Sequence, residues 1–434
     1  MQSFSERFRE HFPSETAALI VADLDSWNLA GREVYGELRN ANVPVAKPCV
    51  FESEPALSAA AQTKILDALS ALPEKPKRTI LAIGGGRLAD LAKLSASVAG
   101  CSYAVYVTVP DTDSLASPFL TDELAALPLL QYAPPPPLAP VFVYADPARI
   151  LYAPLKARSA GYGDLFGKFA AGADWLLAES IAESDPIDRK AWDVLQNGMT
   201  DWTIHPKELS QSDPNATEDL LAGLLAAGAA ATLARSKRPC EGAEHLFAQT
   251  WAMSATGRQT PHGHLVALGT LCALAFYVTL FKYEFSAASI PDALATYPSW
   301  EEREKLIRSL LPDSPLLSLA LAESRAKHLT PEALADRLRN LASVWPDLRE
   351  RLSRQLMYFP RMRAMLLCAG CPITPADIGF TPARLAASAI VAQMLSRRYS
   401  VLDFAYETGT FAACIASLQD AFEIDEAKSG KQML

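Results

Sequence analysis

Three of the six histidines, His245, His262 and His264, lie within a 20-residue window. The surrounding sequence predicts a helix that carries His245 and ends near Met253, a turn rich in Thr, Gly and Pro, and an apolar helix that begins at His262. Two helices joined by a short loop lie side by side, so both imidazoles can face one point. Two histidines, a carboxylate and an open fourth position are typical of a catalytic metal site. Histidines that cap helices or pack in the core are the alternative from spacing alone.

An acid that would complete such a site is Asp164, in the segment SAGYGDLFGKFAAGADW. Gly161, Gly163 and Gly167 surround it in an otherwise apolar helix start, and glycines allow another element or a ligand to approach closely. Because burying a carboxylate without a partner is costly, a cation or hydrogen-bond donors must lie nearby. An aspartate that caps the helix is the simpler alternative.

A third feature is the strand pattern RTILAI, which runs into Gly84, Gly85 and Gly86 and then into a helix. Backbone N–H groups at such a helix start can hold a phosphate, and the missing Cβ atoms let it come close. The spacing is not G-x-G-x-x-G, so the usual dinucleotide fingerprint is absent and a plain tight turn is equally compatible. Asp23, at the end of the first predicted strand, is placed to accept a ribose hydroxyl, or simply to cap the next helix.

The elements that must position these residues show two different secondary-structure patterns along the chain. Up to about residue 146, strand patterns alternate with helical ones, which predicts a parallel sheet with helices on both faces. From about Pro154 onward the sequence is almost entirely helical. We therefore predict an α/β domain over residues 1–150 and an all-helical domain over residues 151–434. Pro134 to Pro137 are expected to form a stiff crossing before the last strand.

The composition of the chain indicates which classes of binding partner and which cellular compartment to expect. With 40 basic and 49 acidic residues the net charge is −9, which gives no electrostatic reason to bind nucleic acid or an anionic membrane. The 17-residue apolar stretch from Leu265 to Phe281 is at the lower limit for a membrane span, and we interpret it as a core helix. A polar N-terminus and seven scattered cysteines favour a cytoplasmic protein. The apolar helices of the second half offer a surface for a homo-oligomer.

Seven segments, in order, resemble the sn-glycerol-1-phosphate dehydrogenases, a branch of the iron-containing alcohol dehydrogenase and dehydroquinate synthase-like superfamily. They are VADLDSWNLAG, IGGGRLADLAK, AGYGDLFGKFAAGADW, SKRPCEGAEH, HGHLVALGTL, AGCPITPADIGF and RRYSVLDFAYETG. The resemblance implies a Rossmann-like nucleotide-binding domain followed by an all-α metal- and substrate-binding domain, the dehydroquinate synthase-like fold. It also implies that NAD or NADP binds over the glycine turn. The cofactor-binding residues predicted in this way are Asp23, Gly84, Gly85, Gly86, Asp90, Lys93, Thr112 and Ser114.

The same resemblance implies a divalent metal held by Asp164, His245 and His262, the three residues that their chemistry had already grouped. Zinc is the expected ion, with iron or nickel as alternatives. Such a metal acts as a Lewis acid on the substrate oxygen while hydride passes to or from the nicotinamide. The three ligands are therefore also the predicted catalytic residues.

The chain departs from the family pattern at contacts to substrate. In the family segment V-P-T-A-x-S-x-D-G, this chain has Asp111 at the threonine position and Ala116 at the aspartate position. Gln249 replaces a histidine that contacts substrate, and His264 stands where the family has an apolar or acidic residue. Because the metal set is intact, a shift of substrate is the simplest interpretation.

These features predict a metal-dependent, NAD(P)-linked oxidoreductase for a small polyol or polyol phosphate, of the type that reduces dihydroxyacetone phosphate. Lys168 or Arg238 would bind a substrate phosphate. His264 would relay a proton, and a surface histidine at a helix start is the alternative. The predicted substrate residues are Ala116, Lys168, Gln249 and His264. Two alternatives remain: a lyase or cyclase of the dehydroquinate synthase kind, and a non-catalytic relative that binds a nucleotide or a partner protein.

Overall fold

A computed structural model describes residues 3–72, 77–121 and 138–429. The predicted proline crossing, Pro134 to Pro137, lies outside the described residues. The chain divides into two units, the first formed by Met1–Leu165 and Asn197–Ser236 and the second by Phe166–Gln196 and Lys237–Leu434. The boundary near residue 150, between a nucleotide-binding and a metal-binding domain, stays a prediction.

The first unit is built on a five-stranded sheet in the order β2-β1-β3-β4-β5, and all of its strand pairs are parallel. The strands are β1 (Ala17–Asp23), β2 (Cys49–Phe51), β3 (Arg78–Gly84), β4 (Ser102–Val107) and β5 (Val143–Ala145). The predicted parallel α/β sheet is confirmed. The chain leaves β1 toward one side to form β2 and returns on the other side as β3. The carboxyl ends of β1 and β3 therefore form a topological switch point, where ligands of such sheets bind.

Both faces of this sheet are covered, which explains the unbroken apolar runs of its central strands. Because side chains alternate along a strand, Leu19 and Val21 of β1 pack with one buried cluster while Ala18 and Ile20 pack with another. The helices of the first unit that lie wholly within it are Phe4–His11, Leu24–Ser26, Arg32–Asn40, Ala59–Ser70, Gly86–Ala99, Pro147–Ile150, Met199–Thr203, Pro206–Ser210 and Pro214–Ala234. Its other described elements are a π-helical turn, Trp27–Gly31, and a 3₁₀ turn, Asp113–Leu115.

In the second unit every described element is a helix. The 26-residue helix Leu155–Ser180 belongs to the first unit up to Leu165 and to the second from Phe166. The other helices are Arg189–Gln196, Ala243–Ala252, Ala255–Gln259, His262–Leu280, Ile290–Thr296, Trp300–Leu310, Leu317–Lys327, Pro331–Gln355, Phe359–Cys368, Pro382–Met394, Val401–Glu407 and Phe411–Ser429, with 3₁₀ turns at Ala287–Ser289 and Pro375–Ile378.

The helix His262–Leu280 is the centre of the second unit. It is buried along nearly its whole length and packs against Ala243–Ala252 and Phe411–Ser429, so the predicted core helix is confirmed. This helix and Pro214–Ala234 are long and apolar enough to cross a membrane by length and composition alone, a criterion that the core helix of a soluble protein also meets. All seven cysteines are free thiols.

Candidate functional site

Two helices bring the two predicted metal-ligating histidines together. His245 is buried in the first turn of Ala243–Ala252, and His262 is the first residue of His262–Leu280. The centroids of the two imidazole rings are 5.3 Å apart. The helices approach closely because Gly269 has no side chain: a Cβ there would lie 2.3 Å from the carbonyl oxygen of Glu244.

Asp164 lies in the middle of Leu155–Ser180 and is completely buried. This position excludes the alternative that it caps the helix. Its Oδ2 accepts a hydrogen bond from the backbone N–H of Asp113 at 2.9 Å. A donor to a buried carboxylate favours the charged form, and this bond also fixes where the carboxylate lies.

The ligand atoms of Asp164, His245 and His262 all lie within 4.8 Å of one another. One carboxylate oxygen and two imidazole nitrogens match the donor set of a three-ligand catalytic metal site with an open position, and their role as ligands stays a prediction. Glu244 adds a further buried carboxylate beside His245, and its Oε2 has no hydrogen-bond partner among the described residues. These acids and neutral imidazoles fit a divalent cation, which would balance the charge that burial makes costly.

Glu244 also orients His245. Its Oε1 lies 2.8 Å from Nδ1 of His245 and accepts a hydrogen bond from the backbone N–H of Gly242 at 2.7 Å. A proton on Nδ1 leaves the Nε2 lone pair to serve as the metal ligand. No role was predicted for Glu244 from the sequence, because residues adjacent on a helix normally point to different faces. Here Glu244 lies in the first turn and its carboxylate folds back over the helix start.

Replacing Glu244 by glutamine is expected to lower metal affinity about tenfold to a hundredfold, the usual effect of losing a carboxylate that supports a ligating histidine. The amide oxygen can still accept from Gly242, so the helix start should persist. Titration with zinc, together with thermal unfolding, measures both effects. Unchanged metal affinity would show that the contact between Glu244 and His245 has no part in metal binding.

A second buried acid anchors the helix that carries His245. The carboxylate of Asp174 accepts hydrogen bonds from the backbone N–H of Ala243 at 2.7 Å, from the Tyr277 hydroxyl at 2.6 Å and from the backbone N–H of Val401 at 2.7 Å. Burial, with a contribution from Glu244, raises the pKa of Asp174 to about 7. Asp174 thus holds the start of Ala243–Ala252 against two other helices of its unit.

Glu241 behaves in the opposite way. Burial alone would raise its pKa, but Lys237, Arg398 and His245 lower the pKa to about 2. Arg398 donates a hydrogen bond to its carboxylate at 3.0 Å. Glu241 is therefore charged at neutral pH, and it lies four residues before His245.

The glycine turn has the predicted form. Gly84 ends β3, and the helix Gly86–Ala99 begins two residues later with Gly85 as its N-cap. A Cβ on Gly86 would lie 1.9 Å from Cγ2 of Thr112. The turn therefore packs directly against the segment that follows β4.

Three of the predicted cofactor residues bind one another. Nζ of Lys93 lies 3.0 Å from Oδ1 of Asp90, and both side chains are buried. The hydroxyl of Ser114 donates to the same carboxylate, whose Oδ2 accepts the backbone N–H of Thr121 at 3.0 Å. In the structure these groups attach the 112–121 segment to the helix after the glycine turn. That they also contact a cofactor stays a prediction.

The other two predicted cofactor residues act as caps. Oδ1 of Asp23 accepts the backbone N–H of Ser26 at 2.7 Å, which is the capping alternative for this residue. Thr112 caps the 3₁₀ turn Asp113–Leu115 through its side chain. Asp23 nonetheless lies at the end of β1, on the switch-point edge of the sheet. Its role toward a ribose stays a prediction.

The predicted substrate residues are spread over several elements. Ala116 follows the 3₁₀ turn, and Lys168 is fully buried in Leu155–Ser180. Gln249 is buried one turn after His245, and His264 is half-buried two residues after His262. The guanidinium of Arg238 donates to two backbone carbonyl groups of the second unit, so its charge contributes to packing there.

Known proteins resemble this chain in sequence. A family model described as iron-containing alcohol dehydrogenase matches residues 1–146. The glycerol-1-phosphate dehydrogenase [NAD(P)+] of Pyrobaculum aerophilum is 32% identical over 194 residues, 44% of this chain and 56% of that protein. The enzyme of the same name from Halalkalibacterium halodurans is 25% identical over 357 residues, 77% of this chain and 86% of that protein. The family match thus covers the part of the chain that carries the parallel sheet, about a third of its length.

A solved structure extends the likeness over nearly the whole chain. The probable glycerol dehydrogenase of Sinorhizobium meliloti 1021 matches with a TM-score of 0.58, covering 96% of this chain and 94% of that chain at 15% identity. At this identity the likeness concerns the fold alone, and it confirms the predicted combination of a parallel-sheet N-terminal domain and a mostly helical remainder. The match to the Pyrobaculum protein covers only 56% of that relative's length.

Proposed function

We propose that this chain is a metal-dependent, NAD(P)-linked dehydrogenase that interconverts an alcohol and a ketone on a small polyol or polyol phosphate. The observation that carries the proposal is the convergence of Asp164, His245 and His262 within 4.8 Å. The glycerol-1-phosphate dehydrogenases among its relatives support the substrate class. A soluble, cytoplasmic location is part of the proposal, as is assembly into a homo-oligomer.

A divalent metal held by these three side chains would supply Lewis-acid polarisation of the substrate oxygen. The protein's own part is to prepare the ligands. The N–H of Asp113 fixes the carboxylate of Asp164, Glu244 fixes the tautomer of His245, and Asp174 anchors the start of its helix. Burial of Asp164, His245 and Glu244 keeps bulk water from competing for these groups.

The nicotinamide dinucleotide is proposed to bind at the carboxyl ends of β1 and β3. Support comes from the strand order, which places the topological switch point there, and from the helix that begins directly after Gly84 and Gly85. Either NAD or NADP is compatible with this proposal.

The substrate is proposed to differ from glycerol 1-phosphate in its polar groups. Ala116 and Gln249 take the places of an aspartate and a histidine, so one carboxylate and one imidazole are missing where the family pattern has them. A site that lacks these groups discriminates less strongly for the hydroxyls they would bind.

The test is metal analysis of the purified protein, followed by assays with NADH and NADPH against dihydroxyacetone phosphate, dihydroxyacetone and other small ketones. We expect stoichiometric metal and net oxidation of the nicotinamide with at least one ketone. Product formation without net change in nicotinamide absorbance would instead support the lyase or cyclase alternative. Bound dinucleotide with no turnover of any substrate would support the non-catalytic one.

A further inference from the structure

A carboxylate of the chain itself lies at the glycine turn. Oδ1 of Asp111 accepts a hydrogen bond from the backbone N–H of Gly86, the first residue of the helix after β3, at 2.8 Å. N–H groups at this place are the ones that a phosphate would use. One of the donors of the proposed phosphate site is therefore already bound to an anion.

The carboxylate covers the turn and is not merely beside it. A Cβ on Gly85 would lie 3.0 Å from each of the two carboxylate oxygens of Asp111. The glycines that would let a phosphate approach the backbone thus provide the room that Asp111 uses. In the family pattern that the sequence resembles, this position is an uncharged threonine.

The backbone that carries Asp111 is held in place. A Cβ on Gly161 would lie 2.0 Å from the carbonyl oxygen of Pro110 and 3.3 Å from Cα of Asp111, so this segment packs tightly on the helix Leu155–Ser180. Release of the Gly86 N–H therefore requires rotation of the Asp111 side chain while its backbone stays in place.

The neighbouring charges do not neutralise Asp111. Arg87, the next residue of the helix, forms an ion pair with Glu54 at 2.8 Å. Glu54 acts on Asp111 as a like charge and Arg87 as an opposite one. The start of the helix therefore carries two carboxylates and one guanidinium.

We propose that Asp111 is an internal competitor for the cofactor phosphate at the glycine turn, and that it sets the affinity of this chain for phosphate-bearing dinucleotides. The inference rests on the dinucleotide site of the proposed function. A bound phosphate must either displace the carboxylate from Gly86 or lie beside a like charge, and both weaken binding. The affinity then depends on the charge and the position of this one side chain.

Two variants separate the effect of the negative charge of Asp111 from the effect of its hydrogen bond to the Gly86 N–H. Asp111→Asn keeps the shape and an acceptor for the Gly86 N–H but removes the charge, whereas Asp111→Thr removes both the charge and the reach. At pH 8 we expect NADH to bind about tenfold more tightly to Asp111→Asn than to the unmodified protein. Asp111→Thr should bind NADH at least as tightly as Asp111→Asn does. ADP should follow the same order. Adenosine, which has no phosphate, should bind all three proteins equally.

Asp213→Asn is the matched control. Asp213 is also half-buried in the first unit and caps a helix, with Oδ1 accepting the backbone N–H of Ala216 at 3.0 Å. The same replacement there should leave NADH affinity unchanged. Thermal unfolding of all variants shows whether each one is folded before binding is compared.

The pH dependence gives a second measurement. Burial, aided by Glu54, raises the pKa of Asp111 to about 7. The carboxyl is then mostly neutral below that pH and charged above it. NADH should bind the unmodified protein more tightly at pH 6 than at pH 8, and Asp111→Asn should show a smaller difference between these two pH values.

Equal NADH affinity of the unmodified protein and both variants would overturn the inference, while turnover in the same samples would leave the proposed function intact. Tighter binding by the variants without turnover of any ketone would support the inference and count against the proposed function. Failure of all proteins to bind NADH at either pH would refute both the inference and the proposed cofactor.

Discussion

Replacing His262 by alanine is expected to release the bound metal and to lower turnover about a thousandfold or more. The imidazole is one of three side chains whose ligand atoms meet within 4.8 Å, so its loss leaves only two protein ligands. A catalytic metal contributes several kcal/mol to the stabilisation of charge on the reacting oxygen, and each 1.4 kcal/mol corresponds to about tenfold in rate. Elemental analysis and steady-state turnover measure the two losses together.

A histidine away from the site provides the comparison. His205 has a side chain that is 54% exposed and lies in the first unit. Its replacement by alanine should leave metal content and turnover unchanged. Because His262 is the first residue of its helix and only half-buried, its alanine variant should still fold. If that variant keeps stoichiometric metal and full turnover, the metal site has been assigned to the wrong residues.

Replacing Gly269 by alanine is expected to destabilise the protein by about 1–3 kcal/mol and to weaken metal binding. The new Cβ would lie 2.3 Å from the carbonyl oxygen of Glu244, and 3.1 and 3.2 Å from its carbonyl carbon and Cα. Backbone atoms cannot turn aside as a flexible side chain can, so the helices that carry His245 and His262 must separate. Thermal or denaturant unfolding measures the first effect, and zinc titration measures the second.

Gly36 is the matched control for this prediction. It also lies in a helix, Arg32–Asn40, but a Cβ there would have no atom within 4 Å. Alanine at this position should stabilise the protein by about 0.5–1 kcal/mol, because only the helix propensity changes. A Gly269→Ala variant that matched the unmodified protein in both stability and metal affinity would show that the two helices do not depend on this close contact.

The sequence was most informative where a strong local pattern coincided with packing. The strand predicted at Ala17 to Asp23 is β1, and the strand predicted before the glycine turn is β3. Their apolar runs are unbroken because both faces of the sheet are covered. The two histidine-bearing helices were predicted for a similar reason, since the Thr-, Gly- and Pro-rich turn between them marks the end of one and the start of the next.

What local pattern could not supply was the direction of individual side chains. That Asp111 replaces a threonine is visible in the sequence, but its hydrogen bond to Gly86 depends on how the segment after β4 folds back over the turn. In the same way, nothing in the spacing indicates that Glu244 reaches Nδ1 of the residue next to it. The first contact depends on tertiary structure, and the second depends on how the Glu244 side chain turns back over the start of its helix.

Sequence alone also does not show which of the two units a helical segment packs in. Asn197–Ser236 belongs with the sheet although its sequence is helical, because Gly228 of the helix Pro214–Ala234 lets that helix lie against Ala116. The helix Pro331–Gln355 continues through Pro346, and the neighbouring Trp345 is buried. An alanine- and leucine-rich helix looks the same in sequence wherever it packs.

The buried pair of Lys93 and Asp90 has a consequence for chemical labelling. The amine of Lys93 is closed off by Asp90, Ser114 and the backbone carbonyl group of Phe119, so reagents that acylate lysines reach it only when the 112–121 segment lifts from the helix. The rate at which Lys93 is modified in the folded protein therefore reports how often that segment opens. Peptide mapping after a timed exposure to such a reagent measures the fraction of Lys93 modified, and from it the frequency of this local opening.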